Sequence, residues 1–132
     1  MNSHLFVYGT LLSGVRHPMG ARLKREARLL GKATVSGRLY DLGRYPGLVE
    51  VADPSSIVHG EVFALNSPAA SLRWLDTYEG IFDNPGHSEY ERSERTVRLM
   101  SGAALKAWVY LYRASVRGLP AVPGGRWAIR SI

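Results

Sequence analysis

The stretch Ile57–Gly80, IVHGEVFALNSPAASLRWLDTYEG, decides the fold, because it sets a strand directly before a helix that ends in a carboxylate. Ile57-Val58-His59-Gly60-Glu61-Val62-Phe63-Ala64 is rich in β-branched and aromatic residues and reads as a strand. Ser67 is a good N-cap, Pro68 suits the first helical position and Gly80 is a natural stop, so a helix is expected between them. Within it Leu72, Leu75 and Glu79 fall at i, i+3 and i+7 on one inward stripe, while Arg73, Asp76 and Thr77 point elsewhere. Glu79 thus stands where an apolar residue is expected. Partial burial and the negative end of the helix dipole both disfavour its ionised form and raise its pKa. A carboxyl tuned in this way can shuttle protons near neutral pH. The other reading of the same helix is that its last turn frays and leaves Glu79 in water.

Upstream, His4-Leu5-Phe6-Val7-Tyr8 is a strand that stops at Gly9 and delivers the loop Tyr8-Gly9-Thr10-Leu11, with Ser13-Gly14 just beyond. Residues 19–27 read as a short helix, and a strand follows from about Arg28 to Tyr40, with bends or bulges at Gly31 and Gly37. Asp41 to Gly47 is turn-rich, Leu48 to Val51 resumes a strand, and Asp53-Pro54-Ser55-Ser56 turns again. Downstream, residues 81–86 form a polar loop. Tyr90 to Leu99 then alternates and pairs with Ala104 to Tyr112 in a hairpin around Ser101-Gly102-Ala103. Short strands with only two helices predict an α+β single domain: a strongly bent sheet or partly closed barrel, helices at its edges and a cavity at its mouth. Residues 114–132, punctuated by Pro120, Pro123, Gly118, Gly124 and Gly125, read as a loop-like tail that Trp127 can anchor.

Length and composition narrow the function. A chain of 132 residues suits one domain, and 45% hydrophobic with 21% charged residues is ordinary for a globular protein. No segment reaches transmembrane length, and residues 1–15 lack the pattern of a secretory signal, so a cytoplasmic protein with no membrane partner is expected. With no cysteine there are no disulfides or thiolate metal sites, and His4, His17, His59 and His87 lack ligand spacing. No metal or other cofactor is expected. The net charge of +6 invites a nucleic-acid partner. Arg22, Lys24, Arg25 and Arg28 are broken by Glu26, however, and Arg92, Arg95 and Arg98 lie beside Glu91 and Glu94. No recognition helix, zinc module or paired strand aromatics accompany them, so a solvated basic face is the reading preferred to a nucleic-acid surface.

A strand that ends in a glycine turn exposes successive backbone N–H groups, so the Tyr8–Leu11 loop can bind a carboxylate or a developing oxyanion. It is no phosphate loop, for the Gly-x-x-x-x-Gly-Lys spacing is absent. A plain strand-exit turn is the competing reading. Tyr90 and Tyr112 can place phenols in a cavity but also suit simple packing. His17 and His87 lack the partners of a triad, and Ser13, Ser36 and Ser88 lack a nucleophile elbow, which disfavours covalent hydrolysis.

Six ordered blocks carry a more specific signal: Phe6-Val7-Tyr8-Gly9-Thr10-Leu11, Gly37-Arg38-Leu39-Tyr40-Asp41-Leu42-Gly43, Tyr45-Pro46-Gly47-Leu48-Val49, Gly60-Glu61-Val62-Phe63, Leu75-Asp76-Thr77-Tyr78-Glu79-Gly80 and Tyr90-Glu91-Arg92. From about residue 4 to about residue 113 the chain resembles the gamma-glutamylcyclotransferase-like family, and within it a small bacterial member of the gamma-glutamylamine cyclotransferase type. Phe63 stands where a tyrosine is common, Thr10 replaces the serine of some members, and Arg16-His17-Pro18 lacks a frequent Asn-His pair, a departure that bears on substrate preference. The resemblance implies an open mixed β-barrel over residues 1–113 with residues 114–132 as a tail. It also implies that Tyr8, Gly9, Thr10 and Leu11 bind substrate and that Glu79 accepts the proton. The implied reaction is attack of the free α-amine of a γ-glutamyl compound on its own side-chain amide, giving 5-oxoproline and an amine without a cofactor. Two rivals are a non-catalytic module binding small ligands on the same scaffold and an adaptor for nucleic acid or acidic partners.

Overall fold

The computed structural model describes residues 1–80 and 89–127. The expected polar loop at 81–86, with His87 and Ser88, lies outside the described residues. In chain order the elements are β1 (His4–Val7), α1 (Pro18–Glu26), β2 (Ala27–Ser36), β3 (Arg38–Asp41), β4 (Pro46–Val49), β5 (Ile57–Leu65), α2 (Pro68–Tyr78), β6 (Tyr90–Leu99), β7 (Ala104–Tyr112) and a 3₁₀ turn at Pro123–Gly125. Five strands form a barrel in the order β1-β5-β2-β6-β7, and β3 and β4 make a separate two-stranded sheet. The fold is α+β in a single domain, as the sequence predicts.

The barrel is antiparallel except where β1 meets β7 in parallel at Leu5 and Trp108. A second narrow seam joins β2 to β6 through Ala33–Leu99 and Thr34–Arg98. Long ladders occupy the rest: β2 pairs with β5 from Ala27–Leu65 to Ser36–Ile57, slipping at Leu29/Gly31, and β6 pairs with β7 from Tyr90–Tyr112 to Arg98–Ala104. The slip is the bulge expected at Gly31. The expected second bend, at Gly37 with φ 151°, ends β2 and turns the chain out of the barrel into β3.

Alternation along the strands sorts the apolar residues into two layers. Phe6, Ala33, Val35, Val58, Val62, Val97, Ala107 and Val109 come from all five barrel strands and fill the lumen, with Leu39 and Leu48 of the small sheet against them. The opposite faces, carrying Leu5, Val7, Phe63, Leu65, Tyr90, Tyr110 and Tyr112, pack on Leu23 of α1 and on Leu72 and Leu75 of α2. Full burial of each such leucine contributes about 1.5–3 kcal/mol. The tail follows the small sheet: Val122 N–H donates to Leu39 O, Asp41 N–H to Pro120 O, and Trp127 packs on the lumen layer.

Three expectations need adjustment. The strand expected at Leu48–Val51 starts at Pro46 and ends at Val49, because a tight turn sets the register: Leu42 N–H bonds Tyr45 O and Gly43 N–H bonds the Asp41 side chain. Ser67 sits at the N-cap but its side chain makes no capping bond, and Pro68 removes one N–H that would need a partner. Asp76 does not point away. Its carboxylate accepts from Arg92 Nε at 2.8 Å and from the Tyr110 hydroxyl at 2.7 Å. Arg92 is therefore not part of a solvated basic face, since its guanidinium also lies 4.4 Å over the Trp108 ring.

Glu26, at the junction of α1 and β2, ties both to α2 by accepting from Ser71 Oγ at 2.7 Å and Trp74 Nε1 at 2.9 Å. Gly60 makes room for β1: a β-carbon there would collide with the Val7 carbonyl oxygen and press on the Phe6 ring. We expect Gly60→Ala to destabilise the protein by about 2–3 kcal/mol, the cost of overpacking a closed core, read as a lowered urea midpoint.

Candidate active site

Where β1 leaves the barrel, the chain enters a cavity of about 660 Å³. Its walls come from four places: the β1 exit (Tyr8 to Leu11), the tip of the β3–β4 hairpin (Arg44 to Pro46), the end of α2 (Tyr78 to Gly80), and the adjoining ends of β6 and β7 (Tyr90 and Tyr110). His17, the residue before α1, also lines it. The predicted residues Tyr8, Gly9, Thr10, Leu11 and Glu79 thus all line one hollow.

Glu79 is held there by the helix stop. Its N–H bonds Leu75 O at 2.9 Å, and Gly80 follows with φ 77° and its N–H on Thr77 O. This is a helix end that closes on itself instead of fraying. The Glu79 carboxyl is raised from the usual 4.5 to about 7, first by burial and second by the negative charge of Asp76. To the helix dipole expected from the sequence, Asp76, one turn away, adds a second source of negative potential.

Across the cavity, the side chains of the loop are largely committed. The Tyr8 hydroxyl donates to Tyr110 O at 2.6 Å and accepts from Leu48 N–H at 3.3 Å, and burial together with the Glu79 charge keeps it a neutral phenol. Thr10 Oγ1 shares a 2.6 Å hydrogen bond with the Tyr78 hydroxyl, and Leu11 is buried in the helix-facing layer. What the loop leaves available is its backbone. Leu12 N–H is satisfied by Gly9 O and Ser13 N–H by the Glu61 carboxylate, whereas among the described residues no acceptor takes the N–H groups of Gly9, Thr10 or Leu11. Glu61 further accepts from Ser13 Oγ, so β5 fixes the loop from beneath. Gly9 is required for close approach: a β-carbon would stand 2.9 Å from the Pro46 ring.

The rest of the wall is aromatic. The Tyr90 hydroxyl donates to Pro46 O at 2.9 Å, and its ring packs against Tyr45 and Tyr112. Tyr90 therefore lines the cavity while its phenol serves structure. Tyr112, the other tyrosine singled out, packs behind it under Gly47. His17 accepts from Met19 N–H through Nδ1, capping α1, and its ring meets Tyr78 edge-on at 5.5 Å. Sequence reasoning missed Asp76, Tyr110, Glu61 and the Tyr45-Pro46 tip. The first was visible as a second carboxylate three residues before Glu79. Tyr110 was visible as sharing strand parity with Tyr112, which the hairpin register sets opposite Tyr90.

Among the described residues no three acidic or histidine side chains converge as a metal site, and no helix is long and apolar enough to cross a membrane. Fold and cavity together define a small α+β barrel protein with a ligand-sized hollow at a barrel end, lined by a carboxyl of raised pKa. The chain belongs to the gamma-glutamyl cyclotransferase, AIG2-like family, whose model matches residues 5–129 and so extends past residue 113 into the tail. A protein of Vibrio cholerae serotype O1 named "Putative gamma-glutamylcyclotransferase" is 33% identical over 132 residues, covering 98% of this chain and 99% of that one. Among solved structures, an AIG2-like protein of Mus musculus superposes with a TM-score of 0.70 at 24% identity, covering 98% of this chain and 97% of its own. YkqA of Bacillus subtilis gives 0.71 at 23% identity over 96% of this chain, which spans only 40% of that protein. These two likenesses concern the fold.

The raised Glu79 carboxyl has a stability consequence. The folded chain retains a proton that the unfolded chain releases near pH 4.5, so stability falls as pH rises from about 4.5 to about 7 and then levels. Glu79→Gln removes this slope. Urea unfolding should find the variant more stable than the parent at pH 8, on the order of 2 kcal/mol, with the gap closing toward pH 4.

Proposed function

We propose that this protein is a gamma-glutamyl cyclotransferase-type enzyme in which the α-amine of a γ-glutamyl amide attacks its own γ-carbonyl, forming 5-oxoproline and expelling an amine. The observation that carries the reading is the Glu79 carboxyl, raised to about 7 in a cavity that Gly9, Thr10 and Leu11 also line. In this reading the loop N–H groups and the Tyr8 ring hold the glutamyl chain, and no cofactor takes part. One C–N bond forms as the five-membered ring closes, and one C–N bond breaks as the amine leaves. Glu79 takes the proton lost by the attacking amine and returns it to the departing one.

Few groups suffice because nucleophile and electrophile belong to one molecule. Holding the chain curled gives effective molarities that reach about 10⁵ M or more in well-oriented cases. General acid–base transfer through a carboxyl adds roughly 10² to 10⁴. Each well-aimed backbone donor to the tetrahedral oxyanion is worth about 10² to 10³. A carboxyl at about 7 is well matched, since near neutral pH it is populated in both the accepting and the donating form.

The test is a panel of γ-glutamyl amines and dipeptides assayed for 5-oxoproline by mass spectrometry, with Glu79→Gln as control. We expect turnover of at least one class and a loss of at least about a hundredfold in the variant. Saturable binding of these compounds without cyclised product would reassign the cavity to ligand sensing. Turnover of the variant within a few-fold of the parent would remove Glu79 from its role.

A further inference from the structure

Behind Glu79 lies a chain of contacts that the cyclisation chemistry does not use. Trp108 carries the Arg92 guanidinium on its face, Arg92 grips Asp76 through Nε at 2.8 Å and a terminal nitrogen at 3.2 Å, and Asp76 receives the Tyr110 hydroxyl at 2.7 Å. Asp76 sits on α2 one turn before Glu79, and Tyr110 is itself part of the cavity wall. The ion pair is half-buried, with 21% of the Arg92 side chain and 27% of that of Asp76 exposed. Such a pair is screened less than one in open solvent.

We propose that Asp76 is a positioning residue for Glu79: clamped by Arg92 and Tyr110, it fixes the last turn of α2 against the barrel and sets a negative charge beside the Glu79 carboxyl. The assignment rests on the reading of Glu79 as the proton carrier. Asp76 accepts from the Arg92 guanidinium and from the Tyr110 hydroxyl, which fix its carboxylate in place. Two adjacent carboxyls held this way divide the labour. Asp76 supplies charge, and that charge, after burial, helps keep the proton on Glu79. Without that charge Glu79 would be a weaker proton acceptor and would carry its proton less of the time at neutral pH.

Other groups also face Glu79. Tyr8 comes from the β1 exit, Tyr78 from α2, Tyr90 from β6 and Tyr110 from β7, while His17, Arg44, Tyr45 and Glu89 line the remaining wall. Burial raises the phenols of Tyr8, Tyr78, Tyr90 and Tyr110, so they stay neutral near pH 7 and contribute no charge there. None of these groups changes in the comparison below.

A merely mechanical clamp and a fixed charge make opposite predictions for the two halves of the ion pair. If only the clamp matters, Asp76→Asn and Arg92→Gln both loosen α2, admit water and lower the Glu79 titration point. If the charge matters, Asp76→Asn lowers it, while Arg92→Gln leaves Asp76 unneutralised and does not. The experiment is ¹³C NMR titration of the Glu79 carboxyl in the full chain without substrate, alongside the pH–rate profile of 5-oxoproline release. We expect a downward shift of about half a unit or more in Asp76→Asn and none in Arg92→Gln, with the rate profile following. A downward shift in both variants, or none in Asp76→Asn, overturns the proposal. Should Asp76→Asn fail to fold for want of a partner for Arg92, the neutral double variant is read instead, and a titration point at or above that of the parent overturns it. Because the NMR measurement needs no turnover, an inactive parent would count against the cyclotransferase reading and leave this test standing.

Discussion

The four residues of β1 are the constraint on which the rest depends. They lie between β5, running antiparallel, and β7, running parallel, and the parallel contact at Leu5 and Trp108 is what closes the ring. A parallel neighbour cannot be supplied by a hairpin, so the whole chain from β2 to β6 is interposed before β7 returns to β1. Gly60 allows the close approach, and Leu5 and Phe6 on opposite faces are almost wholly excluded from water. With β1 seated, its exit loop can only emerge at the barrel end where Tyr90, Tyr110 and the end of α2 already stand. The cavity is what remains among them.

Electrostatics then differentiates the acidic residues. Glu26 is surrounded by donors and is drawn down to about 2, whereas Glu79 is partly buried with another carboxylate one turn away and is pushed up to about 7. The same side chain serves as a structural tie near the start of α2 and lines the cavity at its end. The difference lies entirely in what surrounds each group.

Much of this was legible in the chain itself. The run from Ile57 to Gly80 announced a strand and a helix with definite ends, and the position of Glu79 on the leucine stripe pointed to the hollow it lines. Gly31 and Gly37 announced where the long second strand would bulge and break. The register of β4 was not legible, because it is set by a turn bonded through Asp41 and by the fit of Gly47 under Tyr112, which is distant in sequence. Asp76 was misread for a related reason: helical periodicity assigns a polar residue to solvent unless its partner is known, and Arg92 lies on another element. Nor could the sequence tell that the side chains of Tyr8 and Thr10 would be occupied, leaving backbone N–H groups as the free donors of the loop.

Tyr110 joins these parts in an unusual way. Its carbonyl receives the Tyr8 hydroxyl and its own hydroxyl is given to Asp76, so the two lips of the cleft are pinned to a single residue of β7. A cleft fastened like this does not gape by separating those lips. The Arg44-Tyr45 tip of the small sheet stands over the same cleft and is itself tied to β6, where the Tyr90 hydroxyl donates to Pro46 O. Differences in reach and polarity at that tip are then a natural place for proteins of this build to diverge in what the cleft admits.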